Sequence, residues 1–356
     1  MSKVRDLLGF LSRAIVAGLA LAFVLMYLWP SLVQRLAEEE QPANGETSLA
    51  PASYADAVNR TAPAVVSLQT RTIQPQRVGS TALFRMQIDD GSGVLMSEDG
   101  YILTNHHVIG NSRRARVALW DGRVEMAEIV GSDPETDLAV LKIDRTGLPT
   151  APIPEDQTVR PGDVVLAIGN ALGLSHTVTM GIVSATGRND LRASLYEDYI
   201  QTDAAINVGN SGGALINTRG ELIGISTRNT EDAQNIGFAI PIGLALDVMN
   251  QIIDYGSVRR GWLGAFYSDI RPTTRGNVSG ISVAQVIKDG PAWNAGIRQG
   301  DVILSLDGEP VNDAGQFLLA ISQREPNSQV ELEVFRGAEQ FQTYATLIQQ
   351  PPLARQ

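Results

Sequence analysis

Downstream of residue 53 the chain is a succession of strand-sized apolar runs rich in Val, Ile and Thr, each cut short by Gly, Asp or Asn. "AVVSLQT", "GSGVLMSEDGYILTNHHVI", "RVALWDGRVEMAEIVGSD" and "LAVLKID" form one block, with "EDG" and "WDG" as turns. "DVVLAIGN", "TVTMGIVSATG", "YIQTDAA", "GALINTRGELIGIST" and "GFAIP" form a second. Short runs with turn residues between them, and few helical stretches, predict two small β-barrels rather than a parallel α/β sheet. One stretch departs from this. "PIGLALDVMNQIIDY", residues 241–255, places Leu244, Val248 and Ile252 on one helical stripe, with Pro241 at the first helical position and Gly256 just past the end. It predicts a helix that closes the barrel domain. A third unit follows, in which strands "GISVAQVI", "DVILSLDG" and "VELEVFRG" are mixed with a helical "DAGQFLLAISQR".

The N-terminus has a different pattern. From Ala14 to Val33, "AIVAGLALAFVLMYLWPSLV" is free of charge and long enough to cross a hydrocarbon core as a helix. Lys3, Arg5 and Arg13 precede it and place the N-terminus in the cytoplasm, with Tyr27 and Trp29 at interfacial positions. A cleaved signal peptide is the competing reading; the run is long for one, and no clear small-residue cleavage site follows. The predicted organisation is a cytoplasmic N-terminus (1–13), a transmembrane anchor (14–33), a polar linker (34–53), a double-barrel domain (54–256), a smaller C-terminal domain (257–350) and a tail (351–356).

Composition narrows the partners. A net charge of −11 argues against nucleic acid, which needs clustered Lys and Arg. The absence of Cys excludes a cysteine nucleophile, thiolate metal sites and disulfides. No phosphate-binding loop is present and no cofactor is implied.

Candidate chemistry begins with "NVGNSGGAL", residues 207–215. A Ser between glycines on a tight loop exposes its hydroxyl, and the amides of Gly209 and Ser211 can aim at one small space, as an oxyanion hole requires. A Gly-rich hairpin with an incidental Ser is the plain alternative. A serine nucleophile also needs a base and a group that orients it. Only three histidines exist, and two are adjacent, His106 and His107 in "TNHHV". Neighbours at a strand end alternate in direction, so both cannot face one cleft, and adjacent histidines chelate metal poorly. His176 in "GLSHTVTMG" is isolated, with a structural or surface role as its default. In "DPETDLAVLKI", Asp137 opens an apolar strand and is expected to be partly buried and in need of a hydrogen-bond partner, whereas Asp133 reads as a turn residue.

The order His, Asp, Ser over two β-barrels is that of chymotrypsin-like proteases. "TNHHV", "TDLAVLKI" and "GNSGGAL" resemble the three catalytic blocks of the HtrA (DegP/DegS) serine proteases, supported by "GSGV", "AIGN", "GIVSATGR", "QTDAAIN" and "GFAIP". The resemblance runs from about residue 55 to the C-terminal region. It implies a chymotrypsin-like double barrel with His107 as base, His106 at a variable position, Asp137 orienting the imidazole and Ser211 as nucleophile. Gly209 and Ser211 amides bind the oxyanion, with Asn210 shaping the loop. Where trypsin-like enzymes carry an acid six residues before the nucleophile, this chain has Ala205, followed by Ile206, which implies cleavage after small or medium apolar residues. "GISTRN", containing Ile225, Ser226 and Thr227, is expected to pair with the substrate backbone.

The C-terminal unit resembles a PDZ domain through "VIKDGPAWNAGIRQGDVILSLDGEPV", and "RGWLGAF" resembles its carboxylate-binding loop, Trp262, Leu263, Gly264 and Ala265. One anchor, one protease domain and one PDZ is the layout of the DegS/AlgW branch. That resemblance implies a homotrimer at the inner membrane, with its domains in the periplasm. It would cleave a membrane anti-sigma factor when C-termini of misfolded outer-membrane proteins bind the PDZ, with Arg188 relaying occupancy. Two departures touch this relay: "ALGLS" after "AIGN" lacks an aromatic, and "FRGAEQ" lacks paired acids. A general quality-control protease and a non-catalytic chaperone or scaffold on a protease fold are the alternatives.

Overall fold

The computed structural model describes residues 13, 15–18, 20, 53–78, 81–169, 177–189, 191, 194–207, 209–229, 235–270 and 279–351. The expected anchor (14–33), linker (34–53) and tail (351–356) fall almost entirely outside these residues, as does His176. Among the described residues no helix is long and apolar enough to cross a membrane. The chain divides into two compact units, Met1–Ser53 and Tyr54–Gln356.

The larger unit is mainly β. A short helix α1 (Ala55–Thr61) leads into β1 (Val65–Val78), β2 (Thr81–Leu95) and β3 (Tyr101–Asn105). A single helical turn α2 (His106–Ile109) precedes β4 (Arg114–Ala118), β5 (Val124–Asp133) and β6 (Leu138–Lys142). These six strands close into a barrel in the order β1-β2-β3-β6-β5-β4. A second closed barrel, β10-β11-β12-β9-β8-β7, is built from β7 (Val164–Gly169), β8 (Thr177–Arg188), β9 (Tyr199–Thr202), β10 (Ala214–Asn217), β11 (Leu222–Asn229) and β12 (Gly237–Pro241). Closure removes the exposed edges that open sheets would otherwise present. The barrel interiors are filled by continuous aliphatic runs; Leu138, Ala139, Val140 and Leu141 of β6 are all fully buried.

Helix α3 (Ile242–Tyr255) packs onto the first barrel through Ala245, Val248, Met249 and Ile252, and Gly256 (φ 74°) ends it in the left-handed conformation. Pro241 is one position earlier than the sequence pattern predicts: its ψ of 143° makes it the cap and the last residue of β12. An extended proline terminates the strand and hands over directly to the helix, so no separate loop is needed.

The C-terminal domain has its own core. β13 (Gly261–Trp262) forms a two-stranded pair with the last strand of the domain. The sheet contains β14 (Ala265–Asp269), β15 (Ile281–Val286), β16 (Val302–Leu306), β17 (Glu309–Pro310), β18 (Gln329–Arg336) and β19 (Glu339–Thr346), and β20 (Ile348–Gln349) returns to β13. Helix α4 (Pro291–Asn294) and helix α5 (Ala314–Ser322) complete it. β14 lies at the end of its sheet, paired only with β15 among the described residues, and Tyr267 of β14 meets Phe317 of α5 edge-on at 4.8 Å. Asp313 caps α5, its carboxylate accepting from the Gln316 amide at 2.7 Å.

Candidate active site

The chemistry-bearing side chains converge between the two barrels. His107 lies in α2, in a helical turn instead of at a strand end. Successive side chains there diverge by about 100°, so His106 turns to Ser132 Oγ (3.2 Å) while His107 Nδ1 meets Asp137 Oδ2 at 2.7 Å. The His107 side chain is 38% exposed and that of Asp137 only 6%, so the imidazole has one face on the cleft and its carboxylate partner is withdrawn from water.

Asp137 is held from several directions. Its Oδ1 accepts the His107 backbone amide at 3.0 Å, and its Oδ2 also accepts the Thr227 hydroxyl at 2.7 Å. Its carbonyl accepts the Asn105 side-chain amide and the His106 backbone amide, both at 3.0 Å. The residue has φ 61°, a left-handed conformation that Asp tolerates better than most residues but that persists only where the surroundings hold it. Burial by itself would raise the carboxyl. The hydrogen bonds and charge of His107, with the Thr227 hydroxyl, outweigh burial and hold it below its ordinary value of 3.8. A carboxyl depressed in the fold stabilises the protein above that ordinary value, and the contribution disappears as pH falls through the lower folded value. The stability difference between wild type and Asp137→Asn in urea is therefore expected to be largest near neutral pH and to shrink below about pH 4.

Ser211 stands on the loop before β10. Its hydroxyl donates to the Thr227 carbonyl at 2.6 Å, so Thr227 serves Asp137 with its side chain and Ser211 with its backbone. Among the described residues no hydrogen bond joins Ser211 to His107. The loop is clamped by the first barrel: Ser92 donates its hydroxyl to the Gly209 carbonyl (2.6 Å) and its amide to the Ser211 carbonyl (2.8 Å), while Thr104 holds the Ser92 carbonyl (2.6 Å). The Asn210 carbonyl accepts from Gly213 at 2.9 Å, which turns the Ser211 amide, at the other edge of that trans peptide, the opposite way. Gly209 has φ 98°, and its amide belongs to the peptide with Val208, outside the described residues. Asn210 is buried beneath the loop and rests against Gly169, where an added Cβ would lie 2.5 Å from Asn210 Oδ1 and 2.7 Å from its Cα. Gly169→Ala is expected to push the Ser211 loop outward, lowering kcat by about 100-fold, with a stability loss of about 1–3 kcal/mol measured by urea unfolding.

The remaining expected site residues separate. Ala205 is exposed and its carbonyl accepts from Thr179 Oγ1 at 2.9 Å, whereas Ile206 is buried. The structure corrects the expected substrate strand. Ile225 is fully buried in the core and pairs on both edges, with Ala214 and Ile240; Ser226 is likewise flanked by Gly213 and Ala239. Neither has a free edge to offer a substrate. The β11–β12 register breaks between Ser226 and Asn229, which leaves Thr227 onward as the segment bordering the cleft. Arg188 donates from Nε to Gln201 Oε1 at 2.9 Å, within its own barrel, while the next residue, Asn189, hydrogen-bonds the Asp313 carboxylate of the C-terminal domain.

In the C-terminal domain, Leu263 is buried and Gly264 has φ 75°. The Leu263 carbonyl accepts from Ala292 and that of Gly264 from Ile287, both at 2.8 Å. In trans peptides the amides of Gly264 and Ala265 then point away from those partners. Trp262 belongs to β13 and pairs with Ile348.

Sequence comparison bears on this geometry. A trypsin-like peptidase domain matches residues 91–225 and a PDZ domain matches residues 222–347. The serine endoprotease DegS of Escherichia coli K12 is 42% identical over 353 residues, covering 96% of this chain and 98% of the relative. DegS of Haemophilus influenzae is 42% identical, covering 90% and 92%. Among solved structures, the HtrA-type protease AlgW with a decapeptide is 44% identical with a TM-score of 0.73, over 84% of this chain and 99% of that one. A serine endoprotease from Yersinia pestis is 43% identical with a TM-score of 0.65, over 85% and 99%. Two closed barrels with an Asp–His pair against a serine loop, followed by a PDZ domain and matched over nearly the whole chain, make this a member of the HtrA family of serine endopeptidases.

Proposed function

We propose that the chain is a membrane-anchored periplasmic endopeptidase, switched on when its PDZ domain binds the exposed C-terminus of another protein, and that it makes the first cut in a membrane anti-sigma factor during envelope stress. The domain boundaries are those read from the sequence, with the anchor at 14–33 in the inner membrane, the protease at 54–256 and the PDZ at 257–350; the assembly is a homotrimer. Misfolded outer-membrane proteins supply the C-termini.

In this reading Ser211 turns its hydroxyl from the Thr227 carbonyl to His107, which takes the proton as Ser211 attacks the scissile carbonyl. Asp137 holds the imidazole in the tautomer that leaves its other nitrogen free to accept, and stabilises the imidazolium that forms. Gly209 and Ser211 amides receive the oxyanion, with Asn210 fixing the loop from below. Ala205 and Ile206 border the pocket for the residue before the cut and select small or medium apolar side chains. Backbone of Thr227 onward pairs with the substrate. Gly264 and Ala265, with Leu263 and Trp262 beside them, receive a terminal carboxylate, and Arg188 helps carry occupancy to the nucleophile loop.

One observation carries the gating: a PDZ domain in which β14 pairs on one side only among the described residues, with amides directed away from their peptide partners, shares a compact unit with the Asp–His pair. The solved AlgW relatives with a decapeptide and a tripeptide support the same reading. The test is turnover of an unstructured reporter with an apolar cleavage site, with a decapeptide ending in a free aromatic carboxylate or the same peptide amidated. Activation by the free acid alone is expected. Turnover that ignores both peptides points to constitutive quality control, and rapid cutting after Lys or Arg contradicts the pocket assignment.

A further inference from the structure

Arg260 lies two residues before Trp262, the start of the carboxylate-binding segment, yet its side chain enters the protease domain, where it is only 7% exposed. Both terminal nitrogens bond the Asp133 carboxylate, Nη1 at 2.9 Å from Oδ1 and Nη2 on Oδ2, and Nη1 lies 3.2 Å from Glu135 Oε2. The guanidinium covers the Tyr196 ring at 4.6 Å. Gln350, just after β20, closes the same cluster: its amide donates to the Arg260 carbonyl (3.0 Å), and its side chain bridges the Tyr196 hydroxyl (2.5 Å) and Glu135 Oε1 (3.3 Å).

The ion pair sits on the turn that delivers Asp137. Asp133, Glu135 and Asp137 place three carboxylates in five consecutive positions, the last of them the left-handed Asp137. The Thr136 hydroxyl bonds the Asp133 carboxylate, and the amides of Leu195 (3.1 Å) and Tyr196 (3.0 Å) bond the Glu135 carbonyl. Without a cation, Asp133 and Glu135 would repel in a water-poor site, and the turn would open. A guanidinium meets both carboxylates with a planar fork, a geometry that an ammonium lacks.

We propose that Arg260 is a positioning residue for the reaction: it clamps the Asp133–Thr136 turn so that Asp137 meets His107, and it joins the PDZ carboxylate loop to the triad through a single side chain. The inference rests on the triad assignment above. It does not require Arg188, whose side chain stays within its own barrel.

The test uses the full chain. Arg260→Ala is expected to lower kcat on the apolar reporter by about 10–100-fold with KM within about twofold. Labelling of Ser211 by a fluorophosphonate should slow by the same factor. Arg260→Lys should restore part of both. Because Arg260→Ala leaves two carboxylates uncompensated, a charge-neutral variant, Asp133→Asn/Glu135→Gln/Arg260→Met, supplies a second folded form; affinity for a PDZ peptide and the melting temperature verify its fold. It should show the same loss of kcat. Wild-type or raised kcat in a folded variant, or a loss confined to KM, overturns the inference alone. A wild-type chain without Ser211-dependent turnover overturns the protease reading as well.

Discussion

Replacing Ser211 with Ala is expected to lower kcat by roughly 10⁵–10⁶-fold, leaving only what binding and the oxyanion donors contribute. A large effect is expected because, in the proposed mechanism, the Ser211 hydroxyl forms the covalent intermediate; His107 is engaged at Nδ1 by Asp137, and the chain has no Cys to take its place. The substitution also removes the donor to the buried Thr227 carbonyl, which costs about 1 kcal/mol of stability, too little to unfold the domain. PDZ-peptide affinity should be unchanged. Reporter turnover and peptide binding measured on one preparation separate loss of the nucleophile from loss of the fold.

Asp137→Asn is expected to cost about 10⁴-fold in kcat, with a much smaller change in KM. The size follows from the number of donors that meet this carboxylate. Oδ1 receives the His107 amide, and Oδ2 receives both the imidazole and the Thr227 hydroxyl. An Asn side chain has one acceptor and one donor group. Its amide nitrogen in the Oδ1 position would meet the His107 backbone amide, which cannot yield; in the Oδ2 position it meets the imidazole, and relief comes from His107 moving its proton to Nε2. That nitrogen can then no longer accept the serine proton. Nitrogen NMR of the imidazole would report the changed tautomer directly, which a loss of packing would not produce. Asp137→Ala should behave differently: it leaves the Thr227 hydroxyl and the His107 amide without acceptors in a buried site and so destabilises the fold as well.

The sequence revealed the residue types and their order more readily than their partners. Two blocks of short strands foretold two barrels, and "TNHHV", "TDLAVLKI" and "GNSGGAL" marked the segments that the fold brings together. Contacts made by barrel closure left no local trace. Ser92 clamps a loop more than a hundred residues away, and neither its neighbours nor its spacing to Ser211 forecasts that. Thr227 was legible only as part of a strand beside the cleft; its bonds to both Asp137 and Ser211 depend on the register of β11. The register also explains the misplacement of Ile225 and Ser226, since alternation says which residues share a face but not where an edge becomes free. Asp133 reads as a turn residue by composition, yet it is buried, because its cation comes from Arg260, in another domain. A buried acid with a distant partner looks, in sequence, like any acid in a turn.

Treating the full chain with a fluorophosphonate and mapping the adduct by peptide mass spectrometry tests the triad most directly. A single adduct on Ser211, lost in His107→Ala and formed faster with a PDZ peptide bound, is the expected result. No adduct under any condition, or an adduct on another residue, would contradict the assignment of His107, Asp137 and Ser211 as the machinery of a peptide-gated protease.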